Sequence, residues 1–146
     1  MMAMKRIRKR STRERPVYEE TTHGVTVRVV ADFAPEHSDA EEGLWFWTYV
    51  VEIENHGDKT VQLLSRHWVI TDSLNRVEEV RGEGVVGEQP TLRPRDAFRY
   101  TSGCPLRTPS GVMRGSYQMA SEDEDLFEVA IPEFSLDLPG ARRVLN

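Results

Sequence analysis

Gly82-Glu-Gly84-Val-Val-Gly87 has the spacing G-x-G-x-x-G. In a dinucleotide-binding fold that spacing lets backbone N–H groups and a helix N-terminus close on a pyrophosphate. The chemistry requires a helix straight after the motif and an acidic residue about 20 residues on. Here Pro90 and Pro94 follow, so no regular helix can start at Gly87, and no strand–helix–strand alternation surrounds it. The run therefore reads as a bent loop that glycine permits. Cys104, in Gly-Cys-Pro beside Ser102, would be a nucleophile only with a base at hand. The four histidines, at 23, 37, 56 and 67, show no such pairing in sequence, and a lone cysteine more commonly packs as a small hydrophobe. His37-Ser-Asp39-Ala-Glu41-Glu42 and Glu122-Asp-Glu-Asp125 are oxygen-rich, the chemistry magnesium or calcium prefers. Neither has the spacing of a calcium loop, no histidine pair lies at i, i+4, and such charge runs are mostly solvated connections. No catalytic residue, metal site or cofactor is expected.

The elements around these motifs alternate with period two, and valine outnumbers leucine, 16 to 10. Val25, Val27 and Val29 share one face. From Leu44 to Asn55, Trp45, Trp47, Tyr49, Val51 and Ile53 share a face, as core aromatics of a long inner strand would. Asn55-His-Gly57-Asp is a turn signal. Val61 to Thr71, apolar on both faces at Leu63, Leu64, Trp68, Val69 and Ile70, reads as a central strand, and Asp72-Ser-Leu-Asn75 turns it into a hairpin with Val77–Val80. Residues 82–96 and Gly103 to Gly111 read as loops, with a short strand at Phe98–Thr101 between them. Val112 to Ala120 alternates, with Gly115 on its inward face where a neighbour can pack close. Phe127, Val129 and Ile131 share a face; Phe134, Leu136 and Leu138 share another after Pro132. Seven to eight strands without a convincing helix predict an all-β antiparallel sandwich of the immunoglobulin or fibronectin type III kind, with a small closed barrel as the structural alternative.

Length, charge and composition bound the rest. With 146 residues there is room for one domain. No apolar run approaches the roughly 20 residues of a membrane helix, so no membrane partner is expected. One cysteine supports no disulfide framework, which fits a reducing cytoplasm. The 19 basic and 24 acidic side chains give a net charge of −5, unevenly placed: Met1 to Arg15 carries +6 and the remainder −11. The expected division is a basic, disordered arm over 1–16, a domain over 17–139 and a tail over 140–146. The acidic body argues against nucleic acid as a partner, except weakly through the arm.

Val80-Arg-Gly-Glu-Gly-Val-Val-Gly-Glu-Gln-Pro90, Tyr100-Thr-Ser-Gly-Cys-Pro-Leu-Arg-Thr-Pro-Ser-Gly111 and Met113-Arg-Gly-Ser-Tyr-Gln-Met119 resemble the ApaG family, also called CorD. Trp68-Val-Ile-Thr-Asp72 and Phe127-Glu-Val-Ala-Ile-Pro132 extend the resemblance from about Val17 to Pro139. Arg95 and Asn75 stand where the family commonly has glycine. The resemblance implies a fibronectin type III-like sandwich and no established enzymatic activity. It implies a link, through bacterial members, to cobalt and magnesium tolerance and to genes of dinucleoside polyphosphate breakdown. Eukaryotic relatives attach the domain to F-box and DNA-polymerase-interacting chains, where it is taken as a protein-interaction module.

The expected function is thus non-enzymatic binding of a protein partner, through loops 81–90 and 102–111 or by adding a strand to a sheet edge. The alternative is nucleotide or polyphosphate binding in a glycine nest, with Arg81 and Arg107 supplying charge. The candidate contact residues are Arg81, Gly82, Glu83, Gly84, Gly87, Glu88, Gln89, Arg107 and Thr108, the non-glycine ones being expected at the surface. Oligomeric state is left open.

Overall fold

The computed structural model describes residues 15–138, which form nine strands: β1 (Tyr18–Thr22), β2 (Val25–Phe33), β3 (Trp45–Asn55), β4 (Val61–Asp72), β5 (Val77–Glu83), β6 (Thr91–Leu92), β7 (Ala97–Leu106), β8 (Ser110–Ser121) and β9 (Leu126–Asp137). Two one-turn 3-10 segments between β2 and β3 are the sole helical pieces among the described residues, and no helix there is long and apolar enough to cross a membrane. The basic arm, apart from Arg15, and the tail lie outside the described residues. Arg15 pairs with Asp32 at 2.6 Å.

All pairings are antiparallel. One sheet runs β1-β2-β3-β7; the other runs β5-β4-β8-β9, with β6 pairing the first residues of β4 beside β5. The two sheets stack as a sandwich. Val25, Val27, Val29, Trp47, Tyr49, Val51 and Ile53 from the first meet Leu63, Trp68, Met113, Tyr117, Met119, Val129, Phe134 and Leu136 from the second. Trp68 packs edge-on against Tyr49, with ring centroids 5.3 Å apart. The period-two aromatics of β3 therefore fill the core, as the alternation predicts.

Two bulges decide which residues face that core. In β4 the register against β8 slips at Leu64, so the inward positions change from Val61 and Leu63 to Arg66, Trp68 and Ile70. In β9 a slip opposite Met113 and Gly115 places Pro132 at an irregularity, and buried positions pass from Val129 and Ile131 to Phe134 and Leu136. Phe134 and Leu136 thus join the same core as Val129, not a separate face. Gly115 packs as expected: a Cβ there would stand 2.2 Å from the His67 carbonyl oxygen.

The segments read as loops are more regular than expected. β5 continues to Glu83, and β7 runs unbroken through Gly103 to Leu106. Pairing with neighbouring strands overrides the local glycine and proline signals there. Pro105 can be accommodated because β7 is an outer strand, paired on one side with β3.

One side of the sandwich is closed by packing of β1 and β2 against β9. On the other, the outer strands β5 and β7 are not hydrogen-bonded to each other. That opening positions the candidate site.

Candidate functional site between β5 and β7

A cavity of about 320 Å3 lies in the opening. Its walls are Trp68, Ile70, Val80, Val85, Tyr49, Tyr100 and Met113, with Arg66, Glu78, Ser102 and Cys104 as polar or polarisable members and Val86 at the loop. A second, wider cleft of about 580 Å3 shares Ile70, Glu78 and Pro105 with the first and continues toward Arg76, Val77 and Arg107. Together they form a groove along the open edge. Val86 and Val77, two of the large apolar side chains that stand more than half exposed, line it.

Arg66 reaches the cavity because the Leu64 bulge turns it inward. Its Nη1 donates to the carbonyl oxygens of Glu83 at 3.0 Å and Gly84 at 2.9 Å. The guanidinium lies against Gly82, its cross-strand partner on β5, where a Cβ would come within 2.8 Å of Nη2. Around it stand hydroxyls that stay protonated. Burial raises the pKa of Tyr49, Tyr100 and Tyr117, and the last two hydrogen-bond to each other through their hydroxyls.

The loop after β5 is a tight turn. Val85 and Glu88 exchange backbone hydrogen bonds of 2.8 and 2.9 Å across Val86 and Gly87, whose φ angles are 43° and 82°. Two successive positive φ values are those of a type I′ turn, which favours glycine or asparagine at both positions. Val86 is the unexpected occupant. Gly84 donates its N–H to the Leu64 carbonyl at 2.8 Å, and Gln89 Nε2 donates to the same oxygen at 2.8 Å, so this loop is stitched to the bulge.

The sequence candidates divide accordingly. Gly82 and Gly84 support Arg66, and Gly87 makes the turn. Glu83 and Glu88 are exposed beside it. Arg81 faces outward and pairs with Glu79 at 3.2 Å. Arg107 is exposed on the second cleft, apart from the glycine turn. Thr108 is not at the surface: it is buried, accepting from Ser73 N–H at 3.1 Å and donating to the Ser110 carbonyl at 2.7 Å, a staple for the β7–β8 turn. Missed in the sequence were Arg66, Tyr49, Tyr100 and Glu78 as members of one cavity. The available signal was a cation inside the apolar run 61–71, whose facing depends on a bulge that alternation does not reveal.

Cys104 is buried among the core residues, and burial pushes its thiol up to about 12. The histidines contact other groups: His23 the Phe127 ring, His37 the Phe46 ring, His56 Glu54 and His67 Glu79. No three His, Cys, Asp or Glu side chains gather as metal ligands among the described residues.

The family model described as the ApaG domain matches residues 35–121. Protein ApaG of Caulobacter vibrioides is 59% identical over 140 residues, covering 96% of this chain and 100% of the relative. Protein ApaG of Beijerinckia indica is 57% identical over 130 residues, covering 89% and 100%. A crystal structure described as an ApaA protein from Bordetella pertussis superimposes with a TM-score of 0.78 at 50% identity, covering 80% of this chain and 95% of that one. The matched span runs from the 3-10 turns through β8 and includes the Leu64 bulge, Arg66 and the glycine turn, so the chain belongs to the ApaG domain family.

Proposed function

We propose that this chain is a protein-binding module, and that its partner lies along the groove between β5 and β7. The observation that carries the reading is the unclosed edge of the sandwich, where exposed Val77 and Val86 flank the groove instead of being covered by the opposite sheet. The groove touches both segments that the resemblance singles out, 81–90 through Val85 and Val86, and 102–111 through Ser102 to Arg107. The high ionisation point of the Cys104 thiol, and its separation from the histidine contacts above, favour binding over covalent chemistry. On this reading the family's link to cobalt and magnesium tolerance runs through the partner.

The test is a crosslinking pull-down with Val77→Asp/Val86→Asp, Arg81→Glu/Arg107→Glu and, as a control on another face, Leu126→Asp. Loss of one and the same partner from the Val77/Val86 variant, and its weakening in the Arg81/Arg107 variant, but full retention by the control are expected. Equal retention by all variants would sink the reading.

Nucleotide binding at the glycine turn is less favoured, because the N–H groups of Gly84, Val85 and Glu88 are already committed to backbone carbonyls. A thermal-shift titration with ATP, GTP and dinucleoside polyphosphates at millimolar concentration should be flat. A ligand present at 100 times its dissociation constant would instead stabilise by about 2.7 kcal/mol.

A further inference from the structure

Arg66 is an inward-facing cation in a two-layer fold, and the described residues give it no carboxylate within ion-pair distance. Glu78 lines the same cavity but sits opposite Ile70 while Gly82 sits opposite Arg66, four residues along β5, or about 13 Å. A guanidinium has five N–H donors in a rigid fork. Nη1 is occupied by the Glu83 and Gly84 carbonyls, whereas Nε and Nη2 have no acceptor among the described residues. These two atoms form the side of the fork that takes a carboxylate bidentately. The backbone bonds to Nη1 hold the fork in place before any ligand arrives, which lowers the cost of binding.

We propose that the cavity captures the C-terminal residue of the partner, Arg66 pairing with its terminal carboxylate and the apolar walls taking its side chain. This deepens the module reading and rests on it. Two features select that occupant. Trp68, Val80 and Val85 give the cavity apolar walls beside the polar groups around the guanidinium, so the ligand needs a carboxylate and an apolar body on adjoining atoms. A chain end in leucine, valine or phenylalanine has both, whereas an internal Asp or Glu side chain leaves the walls uncovered. The surroundings also carry Glu78, Glu79, Glu83 and Glu88. A single negative charge is offset by Arg66, while a polyphosphate would meet net repulsion.

The test is an amide chemical-shift titration of the full chain with acetyl-Gly-Leu bearing a free C-terminus, with the same peptide C-terminally amidated, and with 4-methylpentanoate as a free small acid. Saturable shifts at Gly82, Gly84 and Ser102 with the free-acid peptide are expected, at least tenfold weaker with the amide. Arg66→Lys should lose about tenfold, because it keeps the charge without the fork. Arg66→Met removes a loop staple as well, so the acid-against-amide comparison on the unaltered chain decides the matter if that variant unfolds. Equal response to acid and amide, shifts elsewhere, or 4-methylpentanoate binding as tightly as the peptide would each overturn the assignment. Any of those results beside an intact, Val77/Val86-dependent pull-down would remove the carboxylate anchor alone and leave the module reading standing.

Discussion

Val86, Arg95 and Asn75 hold left-handed backbone, with φ of 43°, 78° and 64°. Asparagine tolerates that region, whereas a β-branched or long side chain costs roughly 1–2 kcal/mol there. The positions where this chain departs from the glycine common in its family are therefore sites of strain for Arg95 and nearly none for Asn75. Replacing Arg95 by glycine should raise stability by about 0.5–1 kcal/mol after the extra unfolded-state entropy of glycine is subtracted. Asn75→Gly should change it little; chemical denaturation measures both. Val86→Gly should stabilise by a similar amount while weakening partner capture, because the strained valine presents its side chain at the groove. A Val86→Gly chain that gains stability with undiminished capture would show the strain to be idle.

At the scale of elements, the bulges do the positioning. Strand alternation is strict, so one extra residue moves every later side chain to the other face. Leu64 is that residue in β4: its carbonyl receives Gly84 and Gln89, and beyond it Arg66 and Trp68 turn inward. Deleting Leu64 should leave Trp68 inward, since Leu63 and Ser65 already face consecutive residues of β8, but it removes the carbonyl that anchors Gly84 and Gln89, at a cost of about 1–3 kcal/mol. An unshifted tryptophan emission with a lowered melting temperature is expected; a red-shifted emission from the deletion variant would contradict the register described. The β9 irregularity at Pro132 works likewise, carrying burial from Ile131 to Phe134.

For the whole molecule, the open edge places polar groups where a closed sandwich would hold hydrocarbon. Burial raises the pKa of Tyr49, Tyr100, Tyr117 and Cys104 above the ordinary values of 10 and 9. Each is an acid that stays protonated in the folded state after the unfolded chain has begun to ionise. Their contribution is complete below about pH 9 and is lost as pH rises toward the folded values. Melting temperature should therefore fall steadily above pH 9, and the Cys104 thiol should resist alkylation at pH 8 until denaturant is added. Rapid alkylation of the native chain would show the thiol to be more open than its burial indicates.

The chain by itself determined the sandwich. Period-two apolar residues, turn signals at Asn55-His-Gly57 and Asp72 to Asn75, and the prolines after Gly87 are local properties, readable wherever a strand must bury one face. Even Asn55 acts as its turn signal suggests, its Nδ2 bonding the carbonyls of Lys59 at 2.8 Å and Leu92 at 3.0 Å. The family motifs were equally visible, although Thr108 within them proved to be a buried staple. Tertiary pairing alone decided that β4 bulges at Leu64, that β5 and β7 do not close, and that Arg66 joins three tyrosines. Those outcomes follow from register between strands distant in sequence and from packing on only one side of the sandwich, neither of which is encoded in the alternation of any single strand.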